Sequence, residues 1–67
     1  MVGMKLVINE KVAEAGMEVE TFRGEKGILL CWKEPHKPSS SGHVYVLLNG
    51  EEDEREFYPE VIGGKFI

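Results

Sequence analysis

The side chains best suited to chemistry cluster around one stretch of the 67-residue chain, "WKEPHKPSSSGHVYV" at residues 32–46. Cys31, His36 and His43 are candidate ligands for a soft metal ion, and Ser41 beside His43 would be a candidate nucleophile next to a base. A closed zinc site needs four ligands, and these three follow no common zinc spacing. No oxyanion-hole glycine motif accompanies the serines. The sequence therefore predicts no enzyme, metal or cofactor, with a metal-binding protein or small hydrolase as the third alternative.

Aromatic residues around this stretch favour contact with a protein instead. Tryptophan and tyrosine combine an apolar ring with a polar end, and both are enriched in interfaces. Pro35 and Pro38 prevent regular strand pairing, so the segment between residues 32 and 43 is predicted to form a loop bracketed by Trp32 and Tyr45. The sequence thus predicts a non-catalytic binding or small structural module that contacts a protein partner through this loop. The predicted partner-contacting residues are Trp32, His36, Lys37, His43, Tyr45 and Tyr58.

The charge distribution argues against nucleic acid and membrane partners. The net charge is −4, and residues 49–67 carry six acidic and two basic side chains. Nonspecific nucleic-acid affinity comes mainly from neutralising phosphates with Lys and Arg, and anionic membranes also attract basic segments. Nucleic-acid binding is the alternative hypothesis. Its candidate residues are Arg23, Lys26, Lys33 and Lys37.

The elements that must position these residues are predicted to be short strands in a single domain, residues 1–67. Eight glycines and three prolines divide the chain into short pieces rich in β-branched, aliphatic and aromatic residues. "MKLVI", an alternating segment over Ala13–Thr21, "ILLCW" and "HVYVLL" predict strands, with "ILLCW" central and Cys31 packed as a small hydrophobe. "NEKVAEAG" predicts either a single helical turn, with Asn9 as N-cap and Gly16 just past its end, or an irregular loop.

The last third predicts a hairpin, a tight turn and a closing strand. A loop ending at Glu54 is favoured over a two-residue "NG" turn, because it sets Leu48 opposite Arg55, Val46 opposite Phe57, and Tyr45 opposite Tyr58. The acidic run "EEDE" would then lie at a solvated loop tip. "YPEVIGGKFI" predicts a tight turn after Pro59 and a final strand.

Two segments resemble the Src-homology-3-like small barrel with a KOW-type segment: "AGMEVETFRGEKGILL" and "FYPEVIGGKFI". The resemblance implies five or six strands, with a short 3₁₀ turn before the last. Such barrels bind peptides, RNA or proteins, or serve as structural plugs. RNA-binding KOW segments usually carry basic turns, whereas here Glu18, Glu20 and Glu25 offset Arg23 and Lys26. The double-tryptophan signature of peptide-binding barrels is missing.

The location is predicted from the cysteine count and the apolar runs. One unpaired cysteine and a start, "MVGMKLVINEK", that lacks a leader pattern predict a cytoplasmic protein. The longest apolar runs, "ILLCW" and "VYVLL", are too short to span a bilayer. A strand edge left open in so small a barrel would favour self-association.

Overall fold

The computed structural model describes residues 5–35 and 42–67 of the chain. These residues form strands β1 (Leu6–Ile8), β2 (Lys11–Val12), β3 (Glu18–Glu20), β4 (Lys26–Lys33), β5 (His43–Leu48), β6 (Arg55–Phe57) and β7 (Gly64–Phe66), with a 3₁₀ turn at Pro59–Ile62. The all-β prediction is confirmed. The predicted number of five or six strands is too low, because the described residues form seven.

The strands form two antiparallel sheets that share one core. One sheet has the order β2-β1-β7 and the other β3-β4-β5-β6, and the hydrogen-bonded order closes neither into a barrel within the described ranges. Both sheets and the 3₁₀ turn contribute to one buried apolar cluster, so the two sheets pack against each other. Its members are Leu6, Ile8, Ala13, Val19, Leu29, Val44, Val46, Leu48 and Ile62.

The extra strand comes from "NEKV", where neither the helical turn nor the irregular loop is found. Asn9 and Glu10 have φ values of 50° and 71°, and β1 pairs with β2 across them, with Ile8 opposite Lys11. Two consecutive residues of positive φ match the right-handed twist of a two-residue hairpin. Asn9 therefore turns the chain back on itself, and β1 gains β2 on one side and β7 on the other.

The alternating segment over Ala13–Thr21 is only partly a strand. Ala13, Val19 and Thr21 are buried as alternation predicts, but only Glu18–Glu20 pairs as a strand and Ala15 is exposed. The alternation breaks at Gly16, which has a φ of 91° and whose N–H donates to the Leu29 carbonyl at 2.7 Å. A residue in the left-handed region cannot continue a strand.

Strand β4 is central, since it lies between β3 and β5. It is not buried on both faces, however. The pairing register shifts between Leu29 and Cys31, which inserts Leu30 as a bulge. Leu30 and Cys31 are both exposed, so the prediction that Cys31 packs in the core is wrong.

The β5–β6 hairpin has the predicted loop but a different register. Its loop covers residues 49–54, yet Val46 pairs with Arg55, Val44 with Phe57 and Tyr45 with Glu56. The predicted register is off by two residues, because Val44 and Val46 are both buried on the same face of β5, and Phe57 pairs with Val44 rather than with Val46. Leu48 lies opposite Gly27 on β4, where no side chain occupies the space, and is 4% exposed.

The predicted tight turn and closing strand are present. The 3₁₀ turn ends at Gly63, in the left-handed region at a φ of 73°, and β7 then pairs with β1. This pairing brings the two ends of the described chain together in one sheet. The described ranges contain no helix with the length and apolar character needed to cross a membrane.

Candidate functional site

The four-stranded sheet has a second, partly apolar face that points away from the core. Along β5, burial alternates: Val44, Val46 and Leu48 are buried, whereas the residues between them are only half-buried. Cross-strand pairing places neighbours from β4 and β6 beside these half-buried residues. We call this surface the outer face. It comprises Ile28, Leu30, Cys31, Lys33, His43, Tyr45, Leu47, Glu56 and Tyr58.

The bulge in β4 supplies part of the outer face. Leu30 and Cys31 together oppose Tyr45, because the strand holds one residue more than its partner there. Leu30 is 36% exposed, and Cys31 is exposed with a free thiol. Ile28, opposite Leu47 in the next row of the sheet, is half-buried. The bulge therefore extends an apolar row that begins with Ile28 and Leu47.

Aromatic rings occupy the other end of the outer face. The His43 and Tyr58 rings stack, with centroids 5.3 Å apart and an interplanar angle of 28°. Tyr58 remains 58% exposed in this arrangement. Lys33, opposite His43, places its Nζ 5.9 Å from the centroid of the Tyr45 ring. These rings are held in place by strand pairing and by each other, and they remain accessible.

A hydrogen bond fixes the orientation of Tyr45. Its hydroxyl donates to Glu56 Oε2 across the β5–β6 pair at 2.8 Å. Donation to a carboxylate favours the neutral phenol, so this bond raises the pKa of Tyr45 above its ordinary value, and partial burial and the Glu56 charge act in the same direction. Tyr45 therefore presents a neutral ring to solvent.

The structure brings together three of the six predicted partner-contacting residues: His43, Tyr45 and Tyr58. Trp32 is separated from them, since it pairs with Val44 on the opposite face and packs half-buried against the core. His36 and Lys37 lie outside the described residues.

Sequence reasoning missed the aliphatic part of the outer face. The alternation in "HVYVLL" contained the signal for Leu47, because every second residue must face outward. Leu30 had no such signal, since its exposure depends on the bulge.

The nucleic-acid candidates do not form one basic surface. Lys26 and Lys33 are the end residues of β4, roughly 20 Å apart at the usual rise of a strand. Lys26 is paired with Glu20 on β3, and Arg23 lies in the turn before it. Lys37 lies outside the described residues. A polyanion would therefore meet isolated cations with acidic neighbours.

Neither a metal centre in the described part of the chain nor a similar protein indicates a function for this surface. Within residues 5–35 and 42–67, no three His, Cys, Asp or Glu side chains are grouped so that they could hold a metal ion. Comparison of the chain with protein-family models, curated proteins and solved structures finds no match.

Proposed function

We propose that the chain is a non-catalytic binding module that contacts a protein partner through the outer face. One observation carries this proposal: an exposed sheet surface combines stacked aromatic rings with an aliphatic row. Antiparallel sheets with one wet face usually carry polar residues on that face. Here Leu30, Leu47 and Ile28 lie where polar residues would be expected.

The composition of the outer face fits a protein interface better than a nucleic-acid surface. Interfaces combine an apolar and aromatic centre with a polar rim. On the outer face, Lys33 and Glu56 carry opposite charges beside Tyr45. The fitting partner is a protein that presents apolar side chains flanked by both charge signs. Two copies of this chain would each bring a net charge of −4, which favours a different protein as the partner.

We propose further that the two sheets form a Src-homology-3-like small barrel. Three features support this: the pairing of β1 with β7, the β3-to-β6 meander, and the 3₁₀ turn directly before the last strand. The fold would supply the scaffold only, because small barrels of this kind host many functions. A free, exposed thiol at Cys31 supports a reducing compartment such as the cytoplasm.

The test is quantitative partner capture with surface variants. Immobilised chain, incubated with lysate of the native cell, is compared with the single variants Leu30→Lys and Tyr58→Ala. An interface centred on these residues should lose at least about tenfold in captured partner, as anchor residues do. Val12→Lys is the matched control, because Val12 is 62% exposed but lies in the three-stranded sheet.

Circular dichroism should first show that all three variants fold. Equal capture by Leu30→Lys, Tyr58→Ala and the unchanged chain would rule out the outer face as the contact surface. The outer face would also be ruled out if Val12→Lys reduced the amount of captured partner as much as the outer-face variants do.

A further inference from the structure

A second candidate site lies away from the outer face, between the turn that joins β3 to β4, strand β6 and the 3₁₀ turn. Its lining combines three apolar side chains, two guanidinium groups, a buried threonine and one carboxylate. We call it the arginine cleft. Its residues are Thr21, Phe22, Arg23, Glu25, Arg55, Phe57 and Val61.

The backbone around the arginine cleft is held by several hydrogen bonds. The Phe22 N–H donates to the Val61 carbonyl at 2.9 Å, which ties the β3–β4 turn to the 3₁₀ turn. The hydroxyl oxygen of Thr21, a residue only 4% exposed, accepts from the N–H groups of Arg23 at 3.3 Å and Glu25 at 3.2 Å. A ligand would therefore meet a formed site, with little ordering cost on binding.

Both guanidinium groups have unused donor capacity. Arg55 donates through Nε to Glu51 Oε1 at 2.8 Å, which orients the side chain, and no further hydrogen bond uses its terminal nitrogens among the described residues. Arg23 has no ion-pair partner in that part of the chain, and its Cζ lies 5.9 Å from the Phe22 ring centroid. A guanidinium fork with free terminal nitrogens matches the geometry of a carboxylate.

The apolar part of the cleft is unusually open. Phe22 is 75% exposed although its own backbone is anchored, and Phe57, which also lines the cleft, is half-buried. Phenylalanine carries one of the largest apolar surfaces of any side chain, so covering this ring would remove substantial apolar area from water. The cleft thus offers an apolar surface directly beside two cations.

We propose that the arginine cleft binds a protein segment in which a single carboxylate side chain adjoins an apolar one. The carboxylate would bind between Arg23 and Arg55, and the apolar side chain would cover Phe22 and Phe57. This site is additional to the outer face and does not depend on it.

The acidic surroundings select a single carboxylate over a nucleic acid. Glu25 lines the cleft itself, and Glu51 is bonded to Arg55. The loop at 51–54 adds three further acidic side chains. A polyanion that placed one phosphate between the arginines would bring its other phosphates close to these carboxylates, which repel them.

The experiment is a nuclear magnetic resonance titration of the ¹⁵N-labelled chain with the blocked peptide GSFEVSG and its neutral counterpart GSFQVSG. The acidic peptide should shift the amide signals of residues 21–25 and 55–61 while leaving those of Cys31 and Leu47 unchanged. The neutral peptide should bind at least about fivefold more weakly, because a charge-assisted bidentate contact is lost.

Variants separate the two arginines from general charge effects. Arg23→Gln and Arg55→Gln should each weaken binding of the acidic peptide at least about fivefold. Lys65→Gln, which removes an exposed charge from β7, should leave it unchanged. Glu51→Gln removes the ion pair and keeps both guanidinium groups, so it should retain binding.

Three results would overturn the proposal: equal binding of both peptides, no shift at millimolar acidic peptide, or tighter binding of inorganic phosphate or a short oligonucleotide. None of these measurements uses the outer face, so loss of partner capture and loss of peptide binding are separate outcomes.

Discussion

Replacing Gly27 with alanine should destabilise the protein severely, because a Cβ at this residue of β4 would collide with the backbone of β5. A Cβ added there would lie 2.6 Å from the Leu47 carbonyl oxygen, 2.9 Å from the Leu48 Cα and 3.0 Å from the Val46 Cγ1. The two shortest contacts are to backbone atoms, which a rotamer change cannot move. Gly27 has no positive φ, so the steric contact is the whole effect.

The size of the effect follows from these distances. An ordinary contact begins at 3.4 Å, so the strands must separate by about 0.8 Å (3.4 − 2.6). Overpacking costs about 1–3 kcal/mol, and stretching two neighbouring strand hydrogen bonds adds about 1 kcal/mol each. We therefore expect Gly27→Ala to lower the free energy of unfolding by about 3–5 kcal/mol. At about 0.05–0.15 kcal/mol per residue, a 67-residue domain has only about 3–10 kcal/mol in total.

Urea unfolding followed by the fluorescence of Trp32, the single tryptophan, measures this difference. Trp32 is a suitable reporter because it packs half-buried against the core. Gly50→Ala is the matched control: Gly50 has a φ of 87°, and nothing lies within 4 Å of its added Cβ. It should cost only the backbone strain of about 1–2 kcal/mol. If Gly27→Ala proves no more destabilising than Gly50→Ala, the close approach of β4 and β5 is not present.

Further substitutions test the core, an ion pair and the Tyr45 hydrogen bond. Leu29→Ala, at a residue with 0% exposure, should cost about 2–5 kcal/mol in the same urea assay. Glu51→Gln breaks an ion pair whose side chains are 33% and 55% exposed and should cost no more than about 1 kcal/mol. In a Tyr58→Phe background, where one tyrosine remains, Glu56→Gln should lower the pKa of Tyr45, measured by phenolate absorbance. Folding raises the pKa of Tyr45 from its ordinary value of 10.0. The Tyr45–Glu56 hydrogen bond therefore stabilises the folded protein fully below pH 10, and this stabilisation is lost as the pH rises through the folded-state pKa. An unchanged phenolate titration would show that the bond to Glu56 does not form.

The sequence predicted the positions of most strands because burial imposes a period of two on them. "HVYVLL" matches β5 residue for residue, and "ILLCW" lies inside β4 at the centre of its sheet. The proline-bearing segment gave the 3₁₀ turn and the final strand. These elements were predictable because each one carries its own local pattern.

The errors arose where pairing between strands, and not local pattern, decides the outcome. The register of β6 was ambiguous, because Val44 and Val46 are buried on the same face of β5 and either could lie opposite Phe57. The exposure of Leu30 and Cys31 depends on a bulge that shifts them relative to Tyr45. Hydrophobicity alone placed Cys31 in the core, because it does not record where the partner strand lies.

The candidate site was predictable in its aromatic residues but not in its geometry. His43, Tyr45 and Tyr58 were predicted to contact a partner, and the structure places them on one face. Trp32 was predicted to join them because it is aromatic and flanks the same loop, but it pairs with Val44 and so faces the core side of the sheet. Arg55 carried no sequence signal of its own, because only the folded structure shows that it lines one cleft together with Arg23.

The most direct test of the outer face uses Cys31, the single cysteine, which is exposed opposite Tyr45. A benzophenone maleimide attached there is irradiated in lysate of the native cell. We predict one dominant protein adduct, which excess unlabelled chain abolishes and excess Leu30→Lys chain does not. Moving the label to the other sheet with Cys31→Ser and Lys65→Cys should abolish the adduct. No adduct from Cys31, or the same adduct from both positions, would contradict a partner-binding outer face.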